Sequence, residues 1–380
     1  MDSRPNSRLL ALYLPQFHPI PENDEWWGKG FTEWTNTAKA KPMFRGHYQP
    51  HIPADLGFYD LRLAETREEQ AKMARAYGIE GFCYYHYWFG GKQLLERPFQ
   101  EVVHSGKPDF PFCLCWANET WSGIWHGAPN RVLIEQTYPG DDDHKAHFRA
   151  LLPAFCDSRY FRVNGKPFFA IYKPMSLPDS RRVTDFWRAM ALEAGLPGLH
   201  LVGMSDDEAW NPALYGFDAA STCRMPVRRP WISRRRPIEW AMRKYQEWAG
   251  LPTIYSYGEV LDKLMPIRVE GHDNYPCIVH AWDNSPRSGK NSLVLHESSP
   301  ELFRGILRKA IEVRNDRPWE ENVIIIKSWN EWAEGNHLEP DLRFGHAFLE
   351  IIRQEVYRLP HVARAAEAIE KLRWEKSQSS

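Results

Sequence analysis

The amino-acid sequence predicts a (β/α)8 barrel, an α/β fold, built as a single domain with long inserted loops. Short apolar runs of the kind that form strands recur at 9–14, 79–85, 112–116, 168–172, 199–204, 217–222, 276–282 and 323–329. Most are continuously apolar rather than alternating, as in parallel strands buried on both faces. Helical segments lie between them, at 62–77, 181–194, 301–315 and 343–357. Eight strands interleaved with helices favour a barrel over an open doubly wound sheet, which usually has fewer strands.

Local signals support these elements in chain order. Pro15 ends the first run, and the helix at 62–77 places its apolar side chains among charged ones. Asp179 and Ser180 are plausible caps for the helix at 181–194, which we expect to end at Gly195. No GxGxxG or GxxxxGK[ST] motif follows any strand, which disfavours the nucleotide-binding members of the open-sheet class.

We assign residues 1–360 to the barrel, with insertions at about 15–61 and 223–275, and 361–380 to a helical C-terminal tail. Long loops in compact domains are usually functional or disordered. The second insertion is locally basic. Its arginines are Arg224, Arg228, Arg229, Arg234, Arg235 and Arg236. The sequence leaves open whether this segment is a solvated helical hairpin or a contact surface for an anionic glycan or a phosphate-bearing lipid carrier.

Composition excludes several classes of partner. Among 380 residues, 48 Lys and Arg balance 49 Asp and Glu, which gives no whole-chain basis for binding nucleic acid or an anionic membrane. No apolar run approaches the roughly 20 residues needed to span a bilayer, and the N-terminal run is too short for a secretory signal. The six cysteines form no CxxC motif. We therefore expect no membrane span and a reduced, cytoplasmic compartment.

Aromatic residues make up 14% of the chain, including 17 Trp. Many Trp lie beside polar residues in loop-like segments such as DEWWGKGFTEW, WANETWSGIW, HAWDNSPR and SWNEWAEG. A core Trp prefers apolar neighbours, whereas an aromatic face ringed by Asp, Asn and Glu suits a ligand with apolar faces and polar edges. A sugar ring has that character, so we expect a carbohydrate site.

Barrel enzymes carry their sites at the C-terminal ends of the strands. Polar and aromatic residues follow most of the predicted strands, and from these ends and the first loop we select candidate substrate-binding residues. They are His18, Trp34, Tyr85, His86, Trp88, Trp116, Asn118, Glu119, Asp206, Trp282, Asp283, Trp329, Asn330, His337 and Glu339. His86 is alternatively a core histidine. If the barrel is correct, these side chains surround one cleft.

Paired carboxylates are the strongest chemical signal. The histidines show no HxH or HExxH spacing and no GxSxG elbow is present, so we predict no metal, no cofactor and no serine nucleophile. Glu331 and Glu334, three residues apart, would share one face of a helical turn at roughly 5–6 Å between Cβ atoms. Two acids this close push their pKa values apart, which suits acid/base chemistry on an acetal. An ExxE pair alone is usually a solvated helix face, but this pair directly follows an apolar strand among Trp residues.

The segments YLPQFHPIPENDEWWGKGFTEW, YYHYWF, WANETW, AWDNSPR and SWNEWAEGNHLEP resemble the WbsX family, a glycoside hydrolase family 99-like group of bacterial polysaccharide gene clusters. The resemblance runs from about residue 9 to 356 and implies a (β/α)8 barrel. Better-understood relatives are endo-α-mannosidases and endo-α-mannanases, whose catalytic segment resembles NEWxEGxxxEP. The resemblance implies that Glu334 is the general acid/base and that Glu331 is the base acting on the sugar's own 2-hydroxyl. Glu339 matches the final acidic position.

Three hypotheses follow. The leading one is a retaining glycoside hydrolase acting on α-mannoside- or α-rhamnoside-type linkages of a bacterial surface polysaccharide or its precursor. The second is a glycosyltransferase in O-antigen or capsule assembly, although neither a DxD-type metal site nor a phosphate cradle is found. The third is a non-catalytic glycan-binding protein, against which the paired glutamates argue. In each case the expected partner is an oligosaccharide or polysaccharide.

Overall fold

The computed structural model describes residues 4–123, 128–227 and 237–358 of the chain. Within these residues, eight parallel strands close into a barrel, which confirms the predicted fold class. In chain order they are β1 (Arg8–Tyr13), β2 (Gly81–Phe89), β3 (Phe112–Trp116), β4 (Lys166–Ile171), β5 (His200–Ser205), β6 (Ala219–Cys223), β7 (Asn274–Val279) and β8 (Val323–Lys327). Each strand pairs with the next, and β8 pairs with β1 to complete the ring.

The barrel strands are buried on both faces, which explains their continuously apolar sequences. Every residue of β1 is buried, and Leu9, Leu10 and Ile325 are 0% exposed. Full burial of such an aliphatic side chain contributes about 1.5–3 kcal/mol. The strands therefore act as the rigid scaffold from which the loops at their C-terminal ends project.

The longer helices alternate with the strands. They are Ala64–Ala76, Arg97–Ser105, Asp141–Phe155, Ser180–Glu193, Pro300–Arg314 and Ala347–Val356. The predicted start of Ser180–Glu193 is confirmed, because the Asp179 carboxylate accepts the Arg182 N–H at 3.3 Å. Gly195 follows this helix with a φ of 80°, a conformation that glycine adopts without strain.

Shorter elements complete the described chain. The strands are Lys92–Leu94, Trp121–Gly123, Ala128–Ile134, Arg162–Val163, Thr253–Ser256, Leu293–His296, Asn330–Glu331 and Asn336–His337. The remaining helices are Pro237–Trp248, of 12 residues, and the shorter Pro21–Trp27, Glu33–Lys39, Leu261–Leu264 and Ser285–Ser288. Single 3₁₀ turns lie at Pro174–Ser176, Pro212–Tyr215, Gly289–Asn291, Trp319–Glu321 and Trp332–Glu334.

The first long interval, 15–61, is ordered and anchored to the barrel mouth. The Glu33 N–H donates to the Gln16 carbonyl at 3.0 Å, and the Leu61 N–H donates to the Phe17 carbonyl at 3.1 Å. It contains the two short helices Pro21–Trp27 and Glu33–Lys39. These contacts bring side chains from the interval to the C-terminal end of the barrel.

The second interval, 223–275, is only partly described. Its strand Thr253–Ser256 pairs in parallel with Leu293–His296, outside the barrel. Arg224 forms an ion pair of 2.5 Å with Glu208. The other predicted basic residues, Arg228, Arg229, Arg234, Arg235 and Arg236, lie outside the described residues, as does the predicted tail at 361–380. Among the described residues, no helix combines the length and apolar character needed to cross a bilayer.

Candidate active site

A short hairpin after β8 carries both predicted catalytic glutamates. Asn330–Glu331 pairs with Asn336–His337 in an antiparallel manner, and the 3₁₀ turn Trp332–Glu334 connects the two strands. The predicted helical turn is confirmed in part, since it is a single 3₁₀ turn after which the backbone reverses into the second strand of the hairpin. Glu331 and Glu334 are both buried, at 5% and 8% exposed.

One guanidinium group holds three carboxylates together. Arg287 donates to Glu331 through Nη2 at 2.8 Å, to Glu334 through Nη1 at 2.7 Å and to Glu33 through Nε at 3.0 Å. The Arg287 side chain is only 15% exposed. Three acids around one buried cation therefore form the electrostatic centre of the site.

The charges of this cluster shift the pKa values of its members. Burial raises the pKa of Glu331 to about 7; Arg287 opposes the shift, while Glu334 and Glu33 reinforce it. Burial disfavours the charge of Arg287, but Glu33, Glu331 and Glu334 outweigh it and raise the arginine pKa. Glu331 can therefore exchange a proton near neutral pH, as acid/base catalysis requires.

Aromatic side chains and one lysine form the neighbouring wall. Lys327, the last residue of β8, places Nζ 4.7 Å from the centre of the partly exposed Trp282 ring. Burial opposes its protonation, but Tyr172 and Glu334 hold the pKa of Lys327 above its usual range. Tyr85 and Tyr172 meet edge to face with ring centres 6.2 Å apart. The wall combines ring faces with one positive charge beside Glu334.

Asp283 ties the first loop to the catalytic hairpin. Its carboxylate accepts hydrogen bonds of 2.6 Å from both His47 Nε2 and Gln49 Nε2. His47 Nδ1 accepts the Met43 N–H, so the ring proton lies on Nε2. The Asp283 N–H donates to the Glu334 carbonyl at 2.6 Å. Burial opposes ionisation of Asp283, but these donors keep its pKa below its usual range. We interpret Asp283 as a positioning group for Glu334.

A pair of histidines joins β2 to the helix Asp141–Phe155. His86 and His147 face each other with Nε2 atoms 2.8 Å apart, and burial lowers the pKa of His86 to about 3. The Trp88 ring stacks on His147 at 4.6 Å and donates through Nε1 to Asp143. Trp116 is 1% exposed and donates to the Trp88 carbonyl. His86 Nε2, Trp88 Nε1 and Trp116 Nε1 already have protein partners, an arrangement that favours the alternative, core role for His86.

Asn118 and Glu119 differ although they are adjacent. The Asn118 amide donates to Tyr138 and to the Lys173 carbonyl, and its oxygen accepts the Lys173 N–H. Glu119 is half exposed at 49%, with an oxygen 3.8 Å from Lys173 Nζ. Asp206 is also exposed. Asn118 therefore shapes the loop, whereas Glu119 and Asp206 are free to meet a ligand.

Several other candidates support the backbone of the site. The Asn330 side chain bonds to both the N–H and the carbonyl of Leu14, at 2.7 and 3.0 Å, which joins the hairpin to the end of β1. Trp329 is 0% exposed. His18 bonds to the Pro15 carbonyl through Nδ1, and burial lowers its pKa to about 4. All three side chains are buried, so none of them presents an exposed polar atom to a ligand in the described structure.

Glu339 is held by donors from three directions. Its oxygens accept from Tyr59 at 2.8 Å, from Gln70 at 2.6 Å and from Trp332 at 2.6 Å. Trp34 packs against this network, with its Nε1 donating to the Tyr59 carbonyl and its ring 5.5 Å from that of Trp332. Glu339 and Trp34 therefore support the turn that carries the catalytic pair.

The raised pKa of Glu339 predicts how the free energy of unfolding depends on pH. Burial raises the pKa of Glu339 from 4.5 to about 7, although its three donors oppose the shift. A carboxyl group whose pKa is raised in the folded state stabilises the fold fully below its unfolded pKa, and this contribution is lost as pH rises through the folded value. We expect the advantage of the wild type over Glu339→Gln in unfolding free energy to shrink by about 3 kcal/mol between pH 4.5 and 7.5. Denaturant titrations at both pH values measure it.

The control for this measurement is Glu65→Gln, which removes an exposed carboxylate at the start of a helix. Its difference from the wild type should change little with pH. A constant difference between the wild type and Glu339→Gln over the same range would contradict the assignment.

His337 lies at the end of the catalytic hairpin, with its ring stacked on Trp332 at 3.7 Å. Its Nδ1 bonds to the Glu339 carbonyl at 2.9 Å, and its Nε2 lies 2.8 Å from His51 Nδ1. Both ring nitrogens therefore have protein partners, and contact with a sugar hydroxyl would have to displace one of them.

Two central residues, Arg287 and Glu33, are absent from the candidate set predicted from the sequence. They are 254 positions apart, so no local pattern links them. Arg287 lies in the aromatic-rich segment HAWDNSPR and Glu33 in GFTEW. The signal available in the sequence was that each of these two residues is charged and lies within an aromatic-rich segment.

Comparison with known proteins identifies the family. Residues 9–352 match the family described as Glycosyltransferase WbsX. The chain belongs to the WbsX family. This confirms the resemblance seen in the sequence. A relative named Uncharacterized protein WxcX, from Xanthomonas campestris pv. campestris strain B100, is 40% identical over 357 residues. The match covers 93% of this chain and 50% of the relative, so the chain spans about half the length of that protein.

Solved structures show the same fold. A chain titled Glycoside hydrolase-like protein aligns with a TM-score of 0.55 at 16% identity, over 94% of this chain and 95% of that one. The GH99 endo-alpha-mannosidase from Bacteroides thetaiotaomicron aligns with a TM-score of 0.55 at 14% identity, over 100% of both chains. The WbsX-family chain thus shares the barrel architecture of a glycoside hydrolase family, while its own family carries a glycosyltransferase name.

Proposed function

We propose that the chain is a retaining glycoside hydrolase-like enzyme for α-mannoside- or α-rhamnoside-type linkages of a bacterial surface polysaccharide or its precursor. The observation that carries this proposal is the buried pair Glu331 and Glu334, held by Arg287 at 2.8 and 2.7 Å. Burying two acidic side chains together costs free energy of desolvation. A protein that only binds sugars has no need of such a pair. A reducing, cytoplasmic setting is part of the proposal, consistent with six cysteines that are all free thiols.

In the first step, Glu331 removes the proton of the sugar 2-hydroxyl and that oxygen attacks the anomeric carbon. Glu334 gives its proton to the departing oxygen, so that a 1,2-anhydro sugar and a free alcohol form. A base with a pKa of about 7 suits this task, because it is substantially ionised near neutral pH yet basic enough to accept a proton. The raised pKa of Glu331 thus supports its role.

In the second step, water attacks the anomeric carbon and opens the epoxide. Glu334, now ionised, takes the proton from water, and Glu331 returns its proton to the 2-oxygen. Two inversions at one carbon give net retention. Both carboxylates end in their starting protonation states, as turnover requires.

The substrate class follows from the first step. The 2-oxygen must attack from the face opposite the leaving group, so the two substituents must be trans. An α-manno arrangement meets this requirement with both groups axial, and α-rhamno meets it in the mirror series. An α-gluco arrangement is cis and cannot close the three-membered ring. Exposed Glu119 and Asp206 and the ring face of Trp282 are the groups that we propose contact the sugars.

A glycosyltransferase remains the second candidate because the family description names that activity. A sugar-nucleotide donor needs a diphosphate site, and the sequence contains no Gly-rich phosphate motif. Incubation with candidate glycans separates the possibilities. Free reducing ends support hydrolysis, extension that depends on a nucleotide sugar supports transfer, and binding alone supports a non-catalytic role.

Modified substrates test the mechanism. We expect α-mannobiosides or α-rhamnobiosides that the enzyme cleaves to become inert when the 2-hydroxyl of the sugar at the scissile bond is replaced by hydrogen or fluorine. Binding should persist, because only the nucleophilic oxygen is lost. Product NMR on the intact substrate should show retained configuration. Rapid cleavage of the 2-deoxy or 2-fluoro sugar, or an inverted product, would refute participation by the 2-hydroxyl.

A further inference from the structure

We propose that His51, His337 and Asp341 bind one divalent transition-metal ion of the zinc class, at a site beside the catalytic hairpin. One ligand atom from each residue lies within 4.8 Å of the other two. His51 Nδ1 is 2.8 Å from His337 Nε2, which is 4.0 Å from an Asp341 oxygen. All three residues are buried, at 8%, 7% and 3% exposed. This proposal is independent of the reaction proposed above.

The hydrogen bonds around His337 leave one lone pair directed into the cluster. Because a carbonyl oxygen can only accept, the His337 Nδ1 contact with the Glu339 carbonyl places the ring proton on Nδ1. His337 Nε2 then carries a lone pair that accepts the Nδ1–H of His51, so His51 must move its proton to Nε2 before its own Nδ1 can bind a metal. A ligand histidine that donates its other ring N–H to a carbonyl is the usual arrangement in metal sites.

Asp341 is oriented in the same way. Its Oδ1 accepts the N–H groups of Arg343 and Phe344, at 3.0 and 2.6 Å, while Oδ2 is the oxygen that faces His337. The backbone fixes this orientation, since the Leu342 N–H donates to the Ile52 carbonyl at 3.0 Å. The carboxylate is therefore held in place before any ligand arrives.

A change of the His51 tautomer and a small movement separate the present geometry from a metal site. Zn–N bonds of about 2.0–2.1 Å at tetrahedral angles place two ligand nitrogens roughly 3.3 Å apart. The two histidine nitrogens, at 2.8 Å, need to separate by about 0.5 Å. The competing interpretation is a plain His–His hydrogen bond with no ion.

The cluster opens onto a pocket that Trp282 and Asp283 also line. Three protein ligands leave a fourth tetrahedral position for water or another small ligand. His51 belongs to the first loop and His337 to the hairpin, so an ion bound by both would join these two segments. Sequence patterns alone disfavoured a metal because His51 and His337 are 286 residues apart.

Metal titration tests the proposal. Untagged protein is treated with a chelator, dialysed and titrated with ZnCl₂ by isothermal calorimetry, and cobalt(II) is added separately to record visible absorption. We expect one equivalent of zinc to bind, cobalt to give the intense bands of a tetrahedral site, and zinc to raise Tm. Asp341→Asn and His51→Gln should each weaken zinc binding at least about 100-fold, more than most outer-shell substitutions do.

His104→Ala is the matched control, because His104 is an exposed histidine on a distant helix and should leave zinc binding unchanged. Asp341→Asn keeps an oxygen for the Arg343 and Phe344 N–H groups, so it should fold, and circular dichroism checks this. Absence of saturable zinc binding, or unchanged affinity in folded Asp341→Asn and His51→Gln, would overturn the site and leave the His–His hydrogen bond as the explanation.

Discussion

Glu331→Gln and Glu334→Gln are each expected to reduce turnover by about 10²–10⁴-fold while leaving substrate binding largely intact. Glutamine keeps the shape of the side chain and can still accept a hydrogen bond from Arg287, but it cannot take up or release a proton. Both wild-type carboxylates are buried and lie within 2.8 Å of the same guanidinium group. The measurement is kcat on a cleaved glycan together with Kd for the same glycan by calorimetry.

Glu65→Gln, which removes an exposed carboxylate away from the site, should retain wild-type kcat. Equal loss of binding and turnover in the two catalytic variants would indicate a structural role instead. Near-normal activity in either variant would reassign the catalyst, and the half-exposed Glu119 would be the next carboxylate to test.

Arg287→Met is expected to lower the free energy of unfolding by about 3–5 kcal/mol, because it leaves three buried carboxylates without their cation. The pKa of Glu331, which Arg287 holds down, should rise further. Any residual activity should therefore have its acid limb displaced to higher pH, since ionised Glu331 becomes harder to form. Denaturant unfolding and a pH–rate profile measure the two effects.

A double variant tests whether the lost stability comes from uncompensated charge or from the changed shape of the side chain. Combining Arg287→Met with Glu33→Gln removes one of the uncompensated charges and should recover part of the lost stability. Arg97→Met is the control, because the ion pair of Arg97 with Glu101 is exposed and should contribute less than about 1 kcal/mol. A cost for Arg287→Met no larger than that of Arg97→Met would contradict the cluster's importance.

The fold could be predicted because burial dictates residue type in a barrel. A strand buried on both faces, such as β8, must be continuously apolar, and that pattern is visible in a single sequence. The positions of Glu331 and Glu334 followed from the same rule, since barrel sites lie after the strands. The hairpin did not, because a three-residue spacing is compatible with both a helical turn and a tight loop.

Ligand-facing residues could not be separated from supporting ones by sequence. Asn118 and Asn330 both follow strands, but their amides bond to backbone groups that would otherwise be unsatisfied. Glu119 lies next to Asn118 and is half exposed. A polar residue at a strand end either supports the backbone or faces the ligand. The spatial arrangement of its neighbours decides which role it has.

The long first loop, residues 15–61, contacts the surroundings of Glu331 and Glu334 at two points. Glu33 reaches Arg287, and His47 reaches Asp283, which in turn holds the Glu334 carbonyl. Swinging this loop outward would separate Glu33 from Arg287 and remove two hydrogen-bond donors from Asp283. Movement of the loop would therefore change the charge balance around Glu331 and Glu334, because Glu33 contributes to raising the pKa of Glu331.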